Sequence, residues 1–142
     1  MSDDTLRSIE LTKIGPARFK ATNARGGETF FGVGGDDPDF TPVELLLAAI
    51  AGCSALDVEA ITHKRAQSTG FTVHSEGHKV RDESGNHMTG LTVTFDVSFP
   101  EGEAGDRARA ALPQAIEMSR DRLCTVSRTV QLGEDVVYDP FR

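Results

Sequence analysis

The stretch TPVELLLAAIAGCSALDV, Thr41 to Val58, decides how the rest of the chain is read. Thr41, Pro42 and Glu44 fit an N-cap, a proline at the first helical position and the closing acid of a capping box. From Leu45 to Leu56 the residues are apolar all round, the pattern of a buried central helix. The helix is predicted to run to about Gln67, with Gly70 as its stop. Glu59, His63, Lys64 and Arg65 make its far end polar and exposed. Cys53 closes the apolar run beside Gly52, and such a thiol is either a buried packing group or a reactive one. Glycine inside a helix costs about 1 kcal/mol against alanine. Close helix packing and access for a substrate both explain Gly52.

Working outward, the N-terminal side alternates: Ile9 and Leu11, then Phe19, then Phe30, Phe31 and Val33. Gly15-Pro16 and the segment Asn23 to Gly27 interrupt it, which predicts two or three antiparallel strands. Residues 34–39 read as a loop. On the other side, Phe71 to Val80 and Leu91 to Phe99 alternate as strands around a hairpin turn at Asp82 to Asn86. Ala104 to Met118 carries a helical face of Ala108, Ala111, Leu112, Ala115 and Ile116, with Pro113 against it. A short helix from about Cys124 to Leu132 and a last strand, Asp135 to Tyr138, complete the expectation. Hairpins separated by helices indicate an α+β class, not a doubly wound parallel sheet.

With 142 residues the chain has the length of a single domain spanning 1–142. Its 38% hydrophobic and 26% charged residues are those of a soluble globular protein. A formal net charge of −7 disfavours nucleic acid as a partner. The opening MSDDTLRSIE lacks the pattern of a secretory signal. The unbroken apolar run from Leu45 to Cys53 is short of the ~20 residues that cross a bilayer, so no membrane association is expected. Two cysteines are too few for a disulfide scaffold, and a cytoplasmic protein with reduced thiols follows.

Those thiols, Cys53 and Cys124, are the residues with chemistry to offer. A thiolate is favoured at a helix N-terminus or beside a cation. Cys124 meets that condition better, since it begins a predicted helix between Arg120, Arg122 and Arg128. Cys53 lies about three turns into its helix, and Asp57 at i+4 would raise its pKa. His74 and His78 share a strand face without a third ligand, so no metal site is expected there. Gly32, Gly34 and Gly35 form neither GxGxxG nor a P-loop. No Ser-His-Asp arrangement has a local signature.

The pattern T-P-x-E-L-L-L-A-A-x-A-G-C-S-A-L-D-V, with a second cysteine in S-R-D-R-L-C-T-V, resembles the OsmC/Ohr family of osmotically inducible and organic hydroperoxide resistance proteins. The wording G-C-S-A-x-D-V is nearest an OsmC-like branch. The resemblance implies an intertwined homodimer, with antiparallel sheets wrapped around long central helices. It implies an antioxidant enzyme of oxidative stress defence, a peroxiredoxin-like organic hydroperoxide reductase with no bound cofactor. Cys53 becomes a sulfenic acid, Cys124 condenses with it to a disulfide, and an external dithiol of the lipoyl type restores both. In the peroxidases a glutamate directly follows the proline; here that place is Val43, and Glu44 is the neighbouring carboxylate. The glycine-rich stretch that carries the peroxidases' activating arginine corresponds to Gly15-Pro16-Ala17, which leaves Arg18 as the substitute. The same frame without turnover would be a module binding a small hydrophobic ligand, or a redox sensor.

Overall fold

The computed structural model describes residues 3–139. The chain forms two compact units, residues 1–46 and 47–142. In the first, β1 (Ile9–Gly15), β2 (Arg18–Asn23) and β3 (Glu28–Phe31) make an antiparallel sheet in the order β1-β2-β3. The expected turns are present. Ala17 takes the positive φ of 54° between β1 and β2. Between β2 and β3 the Asn23 side-chain oxygen accepts from the backbone of Arg25 and Gly27, at 3.0 and 2.9 Å. Phe19 stacks on Phe31 across neighbouring strands, with ring centroids 5.9 Å apart.

The helix α1 (Pro42–Thr62) begins as the sequence predicts. Thr41 Oγ1 accepts from the Glu44 amide at 3.2 Å, and Glu44 Oε1 accepts from the Thr41 amide at 2.8 Å. That reciprocal pair is a complete capping box. Its end comes earlier than Gln67. The Thr62 hydroxyl bonds back to the Val58 carbonyl at 2.9 Å, and the amides of Arg65 and Ala66 both return to the Thr62 carbonyl. The Thr69 amide is already committed to Ser98, so Gly70 opens the next strand instead of stopping the helix.

The second unit continues from α1 into a long hairpin, β4 (Gly70–Asp82) and β5 (Gly85–Ser98). Both strands extend further toward the turn than their alternation suggested. Ser84 donates its amide to Asp82 at 2.8 Å and Gly85 supplies a φ of 92°, so two residues reverse the chain. Phe71, Val73, Val93 and Phe95 point to the half-buried face and their neighbours to solvent. The helix α2 (Glu103–Met118) buries Gly105, Ala108 and Ala115, while Pro113 sits on its exposed side. One widened turn, Ser119–Leu123, leads through Cys124 to α3 (Thr125–Leu132). The strand expected at Asp135–Tyr138 is not formed. Val136, Val137 and Tyr138 are 75%, 89% and 87% exposed, and β-forming residues order only where an edge and a buried face receive them.

The expectation of a fully buried central helix also needs correction. Within one chain α1 buries a single stripe, Ile50, Ser54, Val58 and Thr62, at four-residue spacing. Burying Val58 completely contributes about 1.5–3 kcal/mol. Leu56, away from the stripe, is 69% exposed. At 21 residues with a mean hydropathy of 1.7, α1 has the length and composition of a membrane span. Its buried Ser54 and Thr62 and half-buried Asp57 are the residues of a core helix instead.

Candidate active site

Three elements of the second unit meet at the two thiols. The α1 spacing i, i+1, i+4 puts Cys53, Ser54 and Asp57 on adjoining parts of one surface. The chain then has to return Cys124 to that surface, and the widened turn after α2 does this. The Cys124 amide bonds to the Ser119 carbonyl at 2.9 Å, five residues back. One extra residue in a helical turn rotates everything after it by about 100°. Ser119 thereby stays on the buried face, and Cys124 emerges fully buried as the N-cap of α3.

The sulfurs of Cys53 and Cys124 and a carboxylate oxygen of Asp57 all lie within 4.8 Å of one another. Both cysteines are free thiols. A disulfide bond is about 2.05 Å, so closing one takes side-chain movement of at most about 3 Å. Two amides from the first turn of α3 serve the pair: Ser127 donates to Cys124 Sγ at 3.4 Å, and the Val126 amide favours the anionic form of Cys53. The Ser119 hydroxyl, 1% exposed, lies 3.1 Å from Ser54 Oγ and 3.0 Å from Asp57 Oδ2, which ties α1 to the widened turn. The Ser127 hydroxyl is buried near Cys124 without a hydrogen bond of normal geometry, although its proximity favours the anionic sulfur.

The two thiols are pushed in opposite directions. Burial pushes Cys53 up, and its neighbours Cys124 and Asp57, anionic when ionised, push it further against the single Val126 amide. Burial also pushes Cys124 up, but the Ser127 hydroxyl and amide, Ser54 and the Cys53 S–H outweigh it and leave Cys124 below an ordinary thiol. The pair therefore ionises first at Cys124, with Cys53 as the donor of the S–H···S contact. The sequence expectation of the better thiolate at Cys124 agrees with this. No arginine is among the causes that act on Cys124, and Arg120 is held by Asp121 in a two-point contact of 2.7 and 2.9 Å.

Beside the thiols lies a pocket of about 360 Å³. Its walls are Ile50, Leu91, Val93, Phe95, Ile116 and Val130, and its polar atoms come from Ser54, Ser127, Arg120 and Gln131. Ser54 and Ser127 belong to both the pocket and the surroundings of Cys124. Gly52 is exposed on α1, and a Cβ there would meet nothing within 4 Å, so close packing inside the chain does not explain it.

The remaining sequence candidates belong to the first unit. Arg18 is clamped by Asp37 and Asp39, which hold its guanidinium pKa above the ordinary value. Asp37 in turn is held low, chiefly by the Asp39 amide and then by Arg18. Glu44 is occupied by its cap. Neither side chain is uncommitted. Ser119, Ser127 and the Val126 amide were not legible beforehand, because a serine in a polar run carries no mark of being buried. His74 pairs with Glu76 at 3.6 Å on the hairpin surface.

Comparison with known proteins places the fold. An uncharacterised protein of Mycobacterium tuberculosis is 26% identical over 132 residues, covering 92% of this chain and 93% of its own. An OsmC-like protein of unknown function from Vibrio cholerae has a similar fold, with a TM-score of 0.73 at 15% identity over 89% of this chain and 94% of the other. An organic hydroperoxide resistance protein OsmC of Legionella pneumophila aligns with a TM-score of 0.55 at 16% identity, over 90% and 92% of the two chains. The family model for OsmC-like proteins matches residues 34–138, from the loop before α1 to beyond α3, and the chain belongs to that family.

Proposed function

We propose that this protein is a two-cysteine thiol peroxidase acting on organic hydroperoxides. The observation that carries the reading is the pairing of Cys53 and Cys124, remote in sequence, within 4.8 Å beside an apolar pocket. Family membership and the likeness to an organic hydroperoxide resistance protein support it. Cys53 is half-buried and Cys124 fully buried, so Cys53 is the thiol that a peroxide reaches. As the substrate enters, Cys124 Sγ takes the Cys53 proton, and the Cys53 thiolate attacks the distal oxygen of the O–O bond. The alkoxide leaves and is protonated to the alcohol, and Cys53 becomes a sulfenic acid. Once it has lost its proton again, Cys124 attacks that sulfur, and hydroxide leaves as water to give the disulfide. An external dithiol, lipoyl-type by family likeness, reduces the disulfide by exchange. No step requires a bound cofactor. The cycle as proposed assigns no step to Arg18 or Glu44, whose partners in the chain are Asp37, Asp39 and the helix cap.

A homodimer belongs to the same proposal. A helix apolar on all sides that buries one stripe has surface left for a second copy of the chain, and Gly52 and Leu56 lie on it. We place the assembly in the cytoplasm as a soluble protein of oxidative stress defence. The reading is tested by treating the reduced protein with cumene hydroperoxide and counting thiols. Loss of two thiols per chain and release of cumyl alcohol are expected. Persistence of both thiols, or equal peroxide consumption by Cys53→Ser, refutes it.

The pocket favours a second reading, in which the same site holds a small hydrophobic ligand without turnover. Native mass spectrometry with added acyl ligands separates the two, because a pure binding module retains its thiols in peroxide. A redox sensor would lose its thiols without multiple turnovers.

A further inference from the structure

The donor atoms at the thiol site satisfy a requirement that peroxide reduction does not impose. Two cysteine sulfurs and a carboxylate oxygen converge within 4.8 Å, from residues on two separate helical segments. A tetrahedral zinc ion has Zn–S bonds of about 2.3 Å and Zn–O bonds of about 2.0–2.2 Å, which places its ligand atoms roughly 3.5–3.8 Å apart. The three atoms therefore reach that geometry through side-chain shifts of about 1 Å, less than disulfide closure demands. Cys53 and Asp57 are one helical turn apart on α1, a spacing that lets two side chains chelate one ion.

The surroundings are those of metal-bound sulfur. The Cys124 sulfur accepts the amide hydrogen of Ser127, in the first turn of α3, at 3.4 Å. The Ser119 hydroxyl holds Asp57 Oδ2, the kind of contact that orients a metal-binding carboxylate. Two thiolates and a carboxylate together carry three negative charges. A divalent cation balances most of that charge.

We propose that Cys53, Asp57 and Cys124 form a binding site for a thiophilic divalent cation of the zinc class in the reduced protein. Two thiolates select zinc over magnesium or calcium, which prefer oxygen donors. The fourth position of the tetrahedron falls to water. Binding is M²⁺ + 2 RSH → M(SR)₂ + 2 H⁺, with no change of oxidation state. The site and the Cys53–Cys124 disulfide exclude one another, so the bound ion holds the thiols in their reduced form.

Cobalt(II) serves as the probe, added to the reduced, peroxide-free full-length protein under anaerobic conditions. The expected result is a thiolate-to-cobalt charge-transfer band saturating at one ion per chain, with release of the protons still held by the thiols and displacement by zinc. Cys53→Ser and Cys124→Ser should each weaken binding at least about 100-fold, and Asp57→Asn about 10- to 100-fold. Circular dichroism identifies any variant that fails to fold. Absence of the band, or a band unchanged in Asp57→Asn, overturns the site. No peroxide is present, so failure here leaves the peroxidase reading standing, and failure of that reading leaves this site standing.

Discussion

Replacing Cys124 with serine should make Cys53 more reactive. The two sulfurs lie within 4.8 Å, and Cys124 raises the Cys53 pKa both by its charge and by accepting the Cys53 S–H. Two unit charges 4.8 Å apart repel by about 3.5 kcal/mol at an effective dielectric of 20 and about 0.9 kcal/mol in bulk water. Cys53 is half-buried, so a value of about 1–2 kcal/mol is appropriate, or a 5- to 30-fold larger thiolate fraction at a given pH. A raised thiol pKa means that Cys53 stays protonated through neutral pH and ionises only in alkaline solution. Losing the Cys124 charge moves that ionisation toward neutrality, although burial and Asp57 remain. Serine can still accept from the Ser127 amide, so Cys124→Ser preserves the α3 cap while removing the anion. The assay is the initial rate of Cys53 alkylation by iodoacetamide, followed by peptide mass spectrometry from neutral to alkaline pH. The variant should react about 5- to 30-fold faster at neutral pH and level off at lower pH than wild type. An unchanged or slower rate would refute the coupling of the two thiols and the order of ionisation drawn from it.

Two buried serines at the site should respond oppositely to alanine. Ser119→Ala removes a hydroxyl bonded to Ser54 and Asp57 and should cost about 1–3 kcal/mol, read as a lower urea midpoint at constant slope. Ser127→Ala removes a buried hydroxyl without a normal hydrogen bond, and its stability should change by less than about 0.5 kcal/mol or rise. Gly105→Ala should be destabilising by about 3 kcal/mol or more despite alanine's helix preference, because its Cβ would fall 1.7 Å from the Pro100 carbonyl oxygen. Thermal unfolding checks it. Leu56→Asp, placed at a 69% exposed position, should leave the fold intact but shift sedimentation toward monomer if α1 packs on a second copy.

The hairpins, the start of α1 and the helical face of α2 were legible in the sequence because they depend on local rules. Capping residues, alternation and turn glycines act over a few positions, and each is visible in Thr41-Pro42-Val43-Glu44, in Phe71 to Val80 and in Gly85. The end of α1 was not, since it rests on the Thr69 amide finding Ser98 across the hairpin. The missing strand at Asp135–Tyr138 has the same cause in reverse: the residues are suitable, but no neighbouring edge receives them. Apolarity all round α1 identified a core helix, yet the sequence could not say how much of that core a single chain supplies.

At the site, the sequence by itself determined the two thiols, the nearby acid at Asp57 and the helix beginning at Cys124. Their meeting was decided by tertiary structure. The widened turn Ser119–Leu123 shifts the helical phase so that Ser119 and Cys124 both face α1, and no composition or periodicity announces such a turn. The same distinction governs reactivity. A helix N-terminus beside arginines suggested a thiolate at Cys124, but what holds its pKa down is the Ser127 hydroxyl and amide and the proximity of Ser54 and Cys53, while Arg120 is held by Asp121. Thiol identity is covalent and local; thiol acidity depends on which donors and charges lie within a few ångströms, and only the folded chain sets those distances.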